Sequence, residues 1–385
     1  MFDLKEHTML LTVAGSRAYG THTPTSDVDI KGVCIPPREY FTSPFKNFEQ
    51  ADSPSHLEVF RENLSPELQQ VARETKMEGT VYGLFKFAKL ATDCNPNILD
   101  VLFCRDEEVL FGQHRALRLE RGLFLSKKVK HTFSGYAMAQ LKRIRHHRSW
   151  LLSPPKGKPV RADFGLPEHT LIPADQLAAV QAAVQKKLDE WTPNLASVPV
   201  SDRVAIQEGI QTFLEEFISG LPEGLVSEDD RVEGARWLAA ARTVGIDDNL
   251  MLVLQREREW GAAQRGWSQY QTWLRQRNPE RAALEAAAGY DTKHAMHLVR
   301  LMRMGQEALE TGRINVWRGD IDAEELVAIR HGAWSYDNLV EWAEGADKAL
   351  NETYRTSKAL PERPDLSRIE WLVECLVEDV LSKRH

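Results

Sequence analysis

A Gly-Ser pair followed, after ten intervening residues, by two aspartates one residue apart constrains this chain more than any other feature. An apolar run, Leu10-Leu11-Thr12-Val13, leads into Ala14-Gly15-Ser16. A turn-rich segment follows. Asp27 and Asp29 then alternate with Val28 and Ile30 in a second apolar run. The two runs read as short strands over 9–13 and 28–35, the second stopped by Pro36-Pro37. Alternate side chains of a strand share a face, so Asp27 and Asp29 are expected on one side and Val28 and Ile30 in the core. Adjacent carboxylates suit Mg²⁺ (or Mn²⁺), which also takes phosphate oxygens. Two such ions about 4 Å apart would activate an attacking oxygen and neutralise a leaving pyrophosphate. Gly15 permits close backbone approach to a ligand. Gly15 and Ser16 would offer N–H groups and a hydroxyl to a triphosphate. The plain alternative is an Asp-rich turn in which Ser26 and Asp27 cap a local bend.

The rest of the chain divides into a β-containing start and a helical remainder. Residues 42–66, rich in Pro, Ser and Asn, read as a loop or insertion. Thr80-Val81-Tyr82 is a third β-like run and passes into a helical pattern from Leu84. Asn95-Pro96-Asn97 stops that helix, and residues 98–103 form a short apolar helix or strand. Beyond Arg105 the β signal fades. Helical periods are expected over 135–152, 174–191, 204–220, 228–244, 247–276, 291–311, 323–331, 336–356 and 366–382, with Asp365 as an N-cap. The Pro-rich stretch 154–167 is the clearest linker. The expected fold class is therefore α+β: a catalytic domain over 1–105, a helical segment with a basic patch and linker over 106–170, and helical domains over 171–385 with an insertion at 171–285.

At 385 residues and a net charge of −7, the whole molecule is not a general polyanion binder. The charge is uneven, however. Residues 127–148 hold seven Lys or Arg and no acid. Lys127, Lys128, Lys130, Lys142, Arg143 and Arg145, interleaved with Phe133, Tyr136 and Trp150, suit a phosphate backbone with stacked bases. The alternative is a basic helix paired with acids from elsewhere in the chain. No apolar run reaches the ~18 residues of a membrane span, so no membrane partner is expected. The N-terminus lacks the pattern of a signal peptide. The four cysteines form no CxxC pair and read as free thiols of a reducing compartment, the cytoplasm.

The Gly-Ser and Asp-x-Asp combination resembles the signature of the DNA polymerase β-like nucleotidyltransferase superfamily. Residues 15–20 (GSRAYG) with 26–33 (SDVDIKGV) look most like the bacterial and phage nucleotidyltransferases grouped with RNA-repair operons. Residues 81–87, 95–103, 124–137, 290–301 and 334–336 also resemble that group, whereas 170–285 carries no placeable motif. The resemblance implies a small mixed-sheet palm domain and transfer of a nucleoside monophosphate from an NTP to an acceptor hydroxyl, with loss of pyrophosphate. It also implies a third catalytic carboxylate on a later strand. Glu78 is the best position, although Asp is usual there, and Glu58 is the runner-up. Asp27, Asp29 and Glu78 would bind the metal. Relatives use a Lys with a Ser or Tyr from a helical domain on the triphosphate, a part that Lys293 with Ser335 or Tyr336 would play.

Arg17 and Lys86 are candidates for triphosphate or acceptor contact, with a solvated surface role as the alternative. His294 and His297 are three apart on one helix and could hold a metal, but with no acidic or third ligand nearby packing or phosphate contact is favoured. RNA or tRNA is the expected acceptor. The rival reading is a nucleotidyltransferase-fold regulator of toxin–antitoxin type, binding nucleotide or modifying a protein or small molecule. The helical region is the candidate surface for a second copy or a protein partner.

Overall fold

Strand β1 (Thr8–Ala14) is buried along its whole length, and the sheet extends outward from it. In the computed structural model, the structure describes residues 2–112, 116–170, 174–191, 237, 239–245 and 248–382. Five strands run in the order β3-β4-β2-β1-β5, with β2 at Val28–Cys34, β3 at Gln50–Ala51, β4 at Met77–Gly83 and β5 at Val109–Gly112. β1 is antiparallel to β2 and β5, β2 is parallel to β4, and β3 is antiparallel to β4. The chain is thus α+β, as the alternation of short apolar runs and helical periods implies.

The alternation in β2 sends its side chains to two separate cores. Val28 and Ile30 are buried with Leu11, Phe60 and Val81 on one face. Val33, on the face of Asp29 and Lys31, packs into the larger cluster shared with the helices. Asp27 itself lies one residue before β2 rather than inside it. Residues 42–66 are not a bare loop, since they hold β3 and short helical turns. Residues 98–103 belong to a helix, Pro96–Phe103, whose N-cap Asn95 accepts from the Asn97 N–H. β5 follows residue 105 where the β signal had faded. It is short and none of its positions is fully buried, so its sequence carries little alternation.

Short helix α1 (Gly15–Tyr19) leaves β1 directly. Helix α2 (Leu84–Thr92) follows β4. Helix α3 (Val129–Leu152) buries Val129, Phe133, Ala137, Leu141 and Ile144, a spacing that keeps one face of a helix inward. After residue 277 come α4 (Pro279–Ala288), α5 (Thr292–Thr311), α6 (Ala323–Arg330), α7 (Tyr336–Thr356) and α8 (Leu366–Ser382). α5 packs mainly along α3 and also against α6 and α7. Its start is fixed by Asp291, whose side chain accepts from the His294 N–H, and its end by Gly312 in the left-handed region. Asp365 accepts from the Arg368 N–H at 3.1 Å at the start of α8.

By Cα proximity, residues 1–154 group with 278–385, and 155–277 group by themselves. The division expected from sequence, at 105 and 170, follows proposed roles rather than this grouping, because α5 and α3 share a core with the sheet. The second unit holds helices Ala174–Trp191 and Asp248–Gln276. Within it, Arg161 donates to Glu257 at 2.9 Å and lies over the Trp260 ring. The helix expected at 204–220 and most of that at 228–244 lie outside the described residues. Among the described residues, no helix is long and apolar enough to cross a membrane.

Candidate active site

The two halves of the opening motif meet at Gly15 and Asp29. Ala14, the last residue of β1, is the register partner of Asp29. The chain then turns into α1 at Gly15, whose φ of +61° is a conformation that L side chains rarely adopt. A Cβ at Gly15 would collide with the Asp29 carboxylate and approach its Cγ to 2.8 Å. The turn and the carboxylate therefore touch, and only glycine leaves room between them.

Asp27 is placed by the loop before β2. The Thr23 N–H donates to the Ser26 hydroxyl at 2.9 Å, and the Ser26 N–H donates to the Thr23 carbonyl at 3.0 Å. Arg17, on α1, donates to the carbonyls of Ser26 at 3.0 Å and Asp27 at 3.3 Å. Its guanidinium thus clamps the loop to α1, beside Asp27 and Asp29. Burial lowers its pKa, and the two aspartates oppose that.

Glu78 is the register partner of Asp29 across the parallel β2–β4 ladder. Paired residues of neighbouring strands project to the same face. Burial raises the pKa of Asp29. The negative charges of Glu78 and Asp27 raise it further, while Lys31 and Lys293 pull it down. A half-buried carboxylate crowded by two others is a site that a hard cation relieves, and the donors are all oxygen. The three residues therefore fit Mg²⁺. Glu78 is exposed and has Lys76 at 3.9 Å. Glu58 instead pairs with Arg61 at 2.5 Å on a 3₁₀ turn.

Lys293, near the start of α5, brings the helical layer to the carboxylates. Burial lowers its pKa, as do Arg281 and Arg330, against the opposing pull of Asp29 and Asp27. Ser335 and Tyr336 are otherwise engaged. Ser335 caps α7 by accepting from the Asn338 N–H at 3.1 Å, and Tyr336 lies under the Arg148 guanidinium at 4.3 Å. Lys86 pairs with Glu49 at 2.6 Å.

The basic helix divides into paired and open charges. Lys127 pairs with Glu362 at 2.5 Å, Lys128 with Asp93, and Arg145 with Glu344 at 3.8 Å. Lys142 and Arg143 are exposed and Lys130 half-buried. Phe133 is fully buried in the core and cannot stack on a base. Trp150 is buried against His147, and exposed Tyr136 accepts from the Asn95 side chain at 3.0 Å.

Several residues at the site were given no role from sequence. Lys31 continues the Asp27, Asp29 alternation, a signal that period two offered, and it donates to the Asn97 carbonyl at 2.8 Å. Buried Asp100 accepts from the Tyr19 hydroxyl, and Arg300 stacks on the Tyr19 ring at 3.6 Å. Arg330 reaches the Thr21 carbonyl at 3.5 Å. The placement of Arg300 and Arg330 depends on helix packing across 281 and 309 residues of chain, which no local pattern records.

Residues 4–152 match the model of a family described as the RNA repair pathway DNA polymerase beta family (RlaP). The match covers 149 of the 385 residues. No curated protein and no solved structure matches the chain. The matched segment contains the five strands of the sheet, the three candidate carboxylates and the whole of α3. Lys293, Ser335 and Tyr336 lie beyond it.

Proposed function

We propose that the chain is a divalent-metal-dependent nucleotidyltransferase that moves a nucleoside monophosphate from an NTP to an acceptor hydroxyl on RNA, releasing pyrophosphate. The observation that carries this reading is the pairing of Asp29 with Glu78 in strand register, with the Gly15 turn against one side of Asp29 and the charge of Lys293 acting on it. In this assignment residues 1–105 carry the catalytic residues, 106–170 the basic helix, and 171–385 the helical remainder.

Asp27, Asp29 and Glu78 would hold Mg²⁺, which supplies neutralisation of phosphate charge and activation of the acceptor oxygen. The chain's own residues do the positioning that phosphoryl-type transfer chiefly needs. The first N–H groups of α1 have no intrahelical partners, so they suit a phosphate oxygen. The Ser16 hydroxyl adds a donor there. Glu78, an exposed carboxylate in register with Asp29, is the group to take the proton of the acceptor hydroxyl. The acceptor oxygen bonds to the α-phosphorus as the bond to pyrophosphate breaks, and Lys293 offsets charge on the triphosphate. Lys142 and Arg143 offer exposed cations to an RNA backbone, and the description of the matched family supports that class of acceptor.

The test is label transfer. The chain is incubated with α-labelled NTPs, Mg²⁺ and total RNA, beside Asp27→Ala/Asp29→Ala. Label on RNA from wild type alone supports the reading. Label on protein or a small molecule instead moves the acceptor class. No transfer at all, or equal transfer by the variant, removes the enzymatic reading.

A further inference from the structure

His147 on α3, with Asp291 and His294 at the start of α5, brings three metal-ligating atoms together outside the carboxylate site. Nδ1 of His147 lies 3.1 Å and Nδ1 of His294 2.6 Å from one oxygen, Oδ2 of Asp291. The three ligand atoms are within 4.8 Å of one another. The other oxygen, Oδ1, accepts from the His294 N–H at 3.1 Å, so the carboxylate cannot rotate without undoing the helix cap. Asp291 is wholly buried, whereas the His147 and His294 side chains keep 16% and 17% exposure. The cluster is therefore reachable from solvent along the two rings. His147 is held against Trp150, with ring centroids 5.5 Å apart and planes 18° apart.

A cation of the chain itself already stands in this cluster. Nη2 of Arg281, on α4, lies 2.6 Å from Asp291 Oδ2 and 3.1 Å from His294 Nδ1. A guanidinium only donates. If His294 Nδ1 donates to Asp291, it meets Arg281 donor against donor. If it is unprotonated, it presents a lone pair beside a carboxylate oxygen, which is the arrangement of a metal ligand. Arg281 has a second acid, Glu285 at 2.8 Å, and is about a third exposed, so it can withdraw without losing its counter-charge.

We propose that His147, Asp291 and His294 form a binding site for a divalent transition cation, with Arg281 as its built-in competitor. Two imidazoles and one carboxylate suit Zn²⁺ far better than the all-oxygen set of Asp27, Asp29 and Glu78. Three protein ligands leave a coordination position for water. The ion would clasp α3 to the first turn of α5, two residues from Lys293, and so fix the approach of Lys293 to the carboxylates. The site is independent of the proposed transferase activity, and its test reads metal binding rather than turnover.

The full chain carrying Asp27→Ala/Asp29→Ala, which silences the carboxylate pair, is stripped with a chelator. It is titrated with Co²⁺, followed by visible absorption, and then with Zn²⁺ in competition. The expected result is one Co²⁺ per chain with nitrogen-ligand d–d bands, displaced by Zn²⁺. His147→Asn and His294→Asn keep an amide near the Nδ1 position, so the contact with Asp291 survives while the ligand is lost. Each should weaken binding at least about 100-fold, beyond the cost of losing an outer-shell partner. Arg281→Met keeps all three ligands and should tighten binding. Circular dichroism melts confirm that each variant is folded. No stoichiometric Co²⁺ or Zn²⁺ on the parent chain, or binding that survives both His→Asn changes, overturns the proposal and leaves the cluster a hydrogen-bonded clasp.

Discussion

Asp29 and Glu78 face each other across a parallel ladder, although 48 residues separate them in the chain. Their juxtaposition concentrates negative charge where Asp29 is already half-buried. The fold holds this arrangement at a cost to itself, as binding sites commonly do.

Replacing Asp29 exposes that cost. Its folded-state pKa is raised, by burial first and then by Glu78 and Asp27. The folded state therefore holds its proton to higher pH than the unfolded state. Stability from this group falls as pH rises through the window between the two values, and at neutral pH the ionised side chain opposes folding. Asp29→Asn removes the charge and should raise Tm by a few degrees at pH 7 in metal-free buffer. The same change should lower label transfer by at least about 100-fold. A lower Tm in a thermal melt would show that the carboxylates do not repel as described.

Gly15→Ala should fail for two reasons that act together. The backbone φ of +61° strains any L residue, and the new methyl would press on the Asp29 carboxylate. Destabilisation of more than about 1 kcal/mol in urea unfolding is expected. Pairing it with Asp29→Gly should recover part of the loss, because the collision is gone and only the strain remains.

Much of this site was legible in the sequence because it is local. Gly15, Ser16, Asp27 and Asp29 lie within fifteen residues at or beside the ends of two adjacent strands, and period two assigned Asp29 its face. Glu78 came from the resemblance rather than from spacing, and the β2–β4 register is what sets it beside Asp29. Lys293 was likewise named from the resemblance, while its neighbours Arg281 and Arg330 were not, since their placement is decided by how α4 and α6 pack around α5. The basic run was legible only as charge. The acids that pair with Lys127 and Lys128, Glu362 and Asp93, are remote in sequence. Strand β5 was missed because a four-residue strand with no fully buried position has no alternation to read.

Lys293→Met should separate binding from chemistry by its effect on pH dependence. Lys293 lowers the pKa of Asp29. Without that positive charge the Asp29 pKa rises further, so the acid limb of the pH–rate profile should move to higher pH. KM for the NTP should rise as well, because the proposed phosphate partner is gone. Lys293→Arg should restore most of both. An unmoved acid limb would place the ammonium away from the carboxylates during turnover.

Asp291→Ala tests the clasp at the base of α5. Burial alone would raise the Asp291 pKa. Hydrogen bonds from His147 and His294 and the charges of His294 and Arg281 outweigh it and hold the carboxyl well below its usual range. Its contribution to stability is therefore complete above the unfolded carboxylate pKa and is lost as pH falls through the depressed value. Removing one member of a buried ionic set leaves the others uncompensated, at about 3–5 kcal/mol. Denaturant unfolding at pH 7 with chelator present should show that loss. It should shrink toward acid pH, where the wild type loses the same interaction.

Thiol chemistry gives a last, independent check on the core. Cys34, Cys94 and Cys104 are buried and Cys375, on α8, is partly exposed. Burial pushes the Cys34 and Cys104 thiols up to about 12, and it raises Cys94 against hydrogen bonding with Ser126. Only the thiolate attacks a disulfide reagent, so these three should be slow even where the reagent can reach them. Native chain at pH 8 should release the colour of about one thiol with an aromatic disulfide reagent, and denatured chain that of four. Cys375→Ser should abolish the fast phase and leave the slow one. Fast reaction of a second thiol would mean that one face of the sheet opens to solvent, since Cys34 lies in the cluster behind Val28 and Ile30 and Cys94 in the cluster shared with the helices.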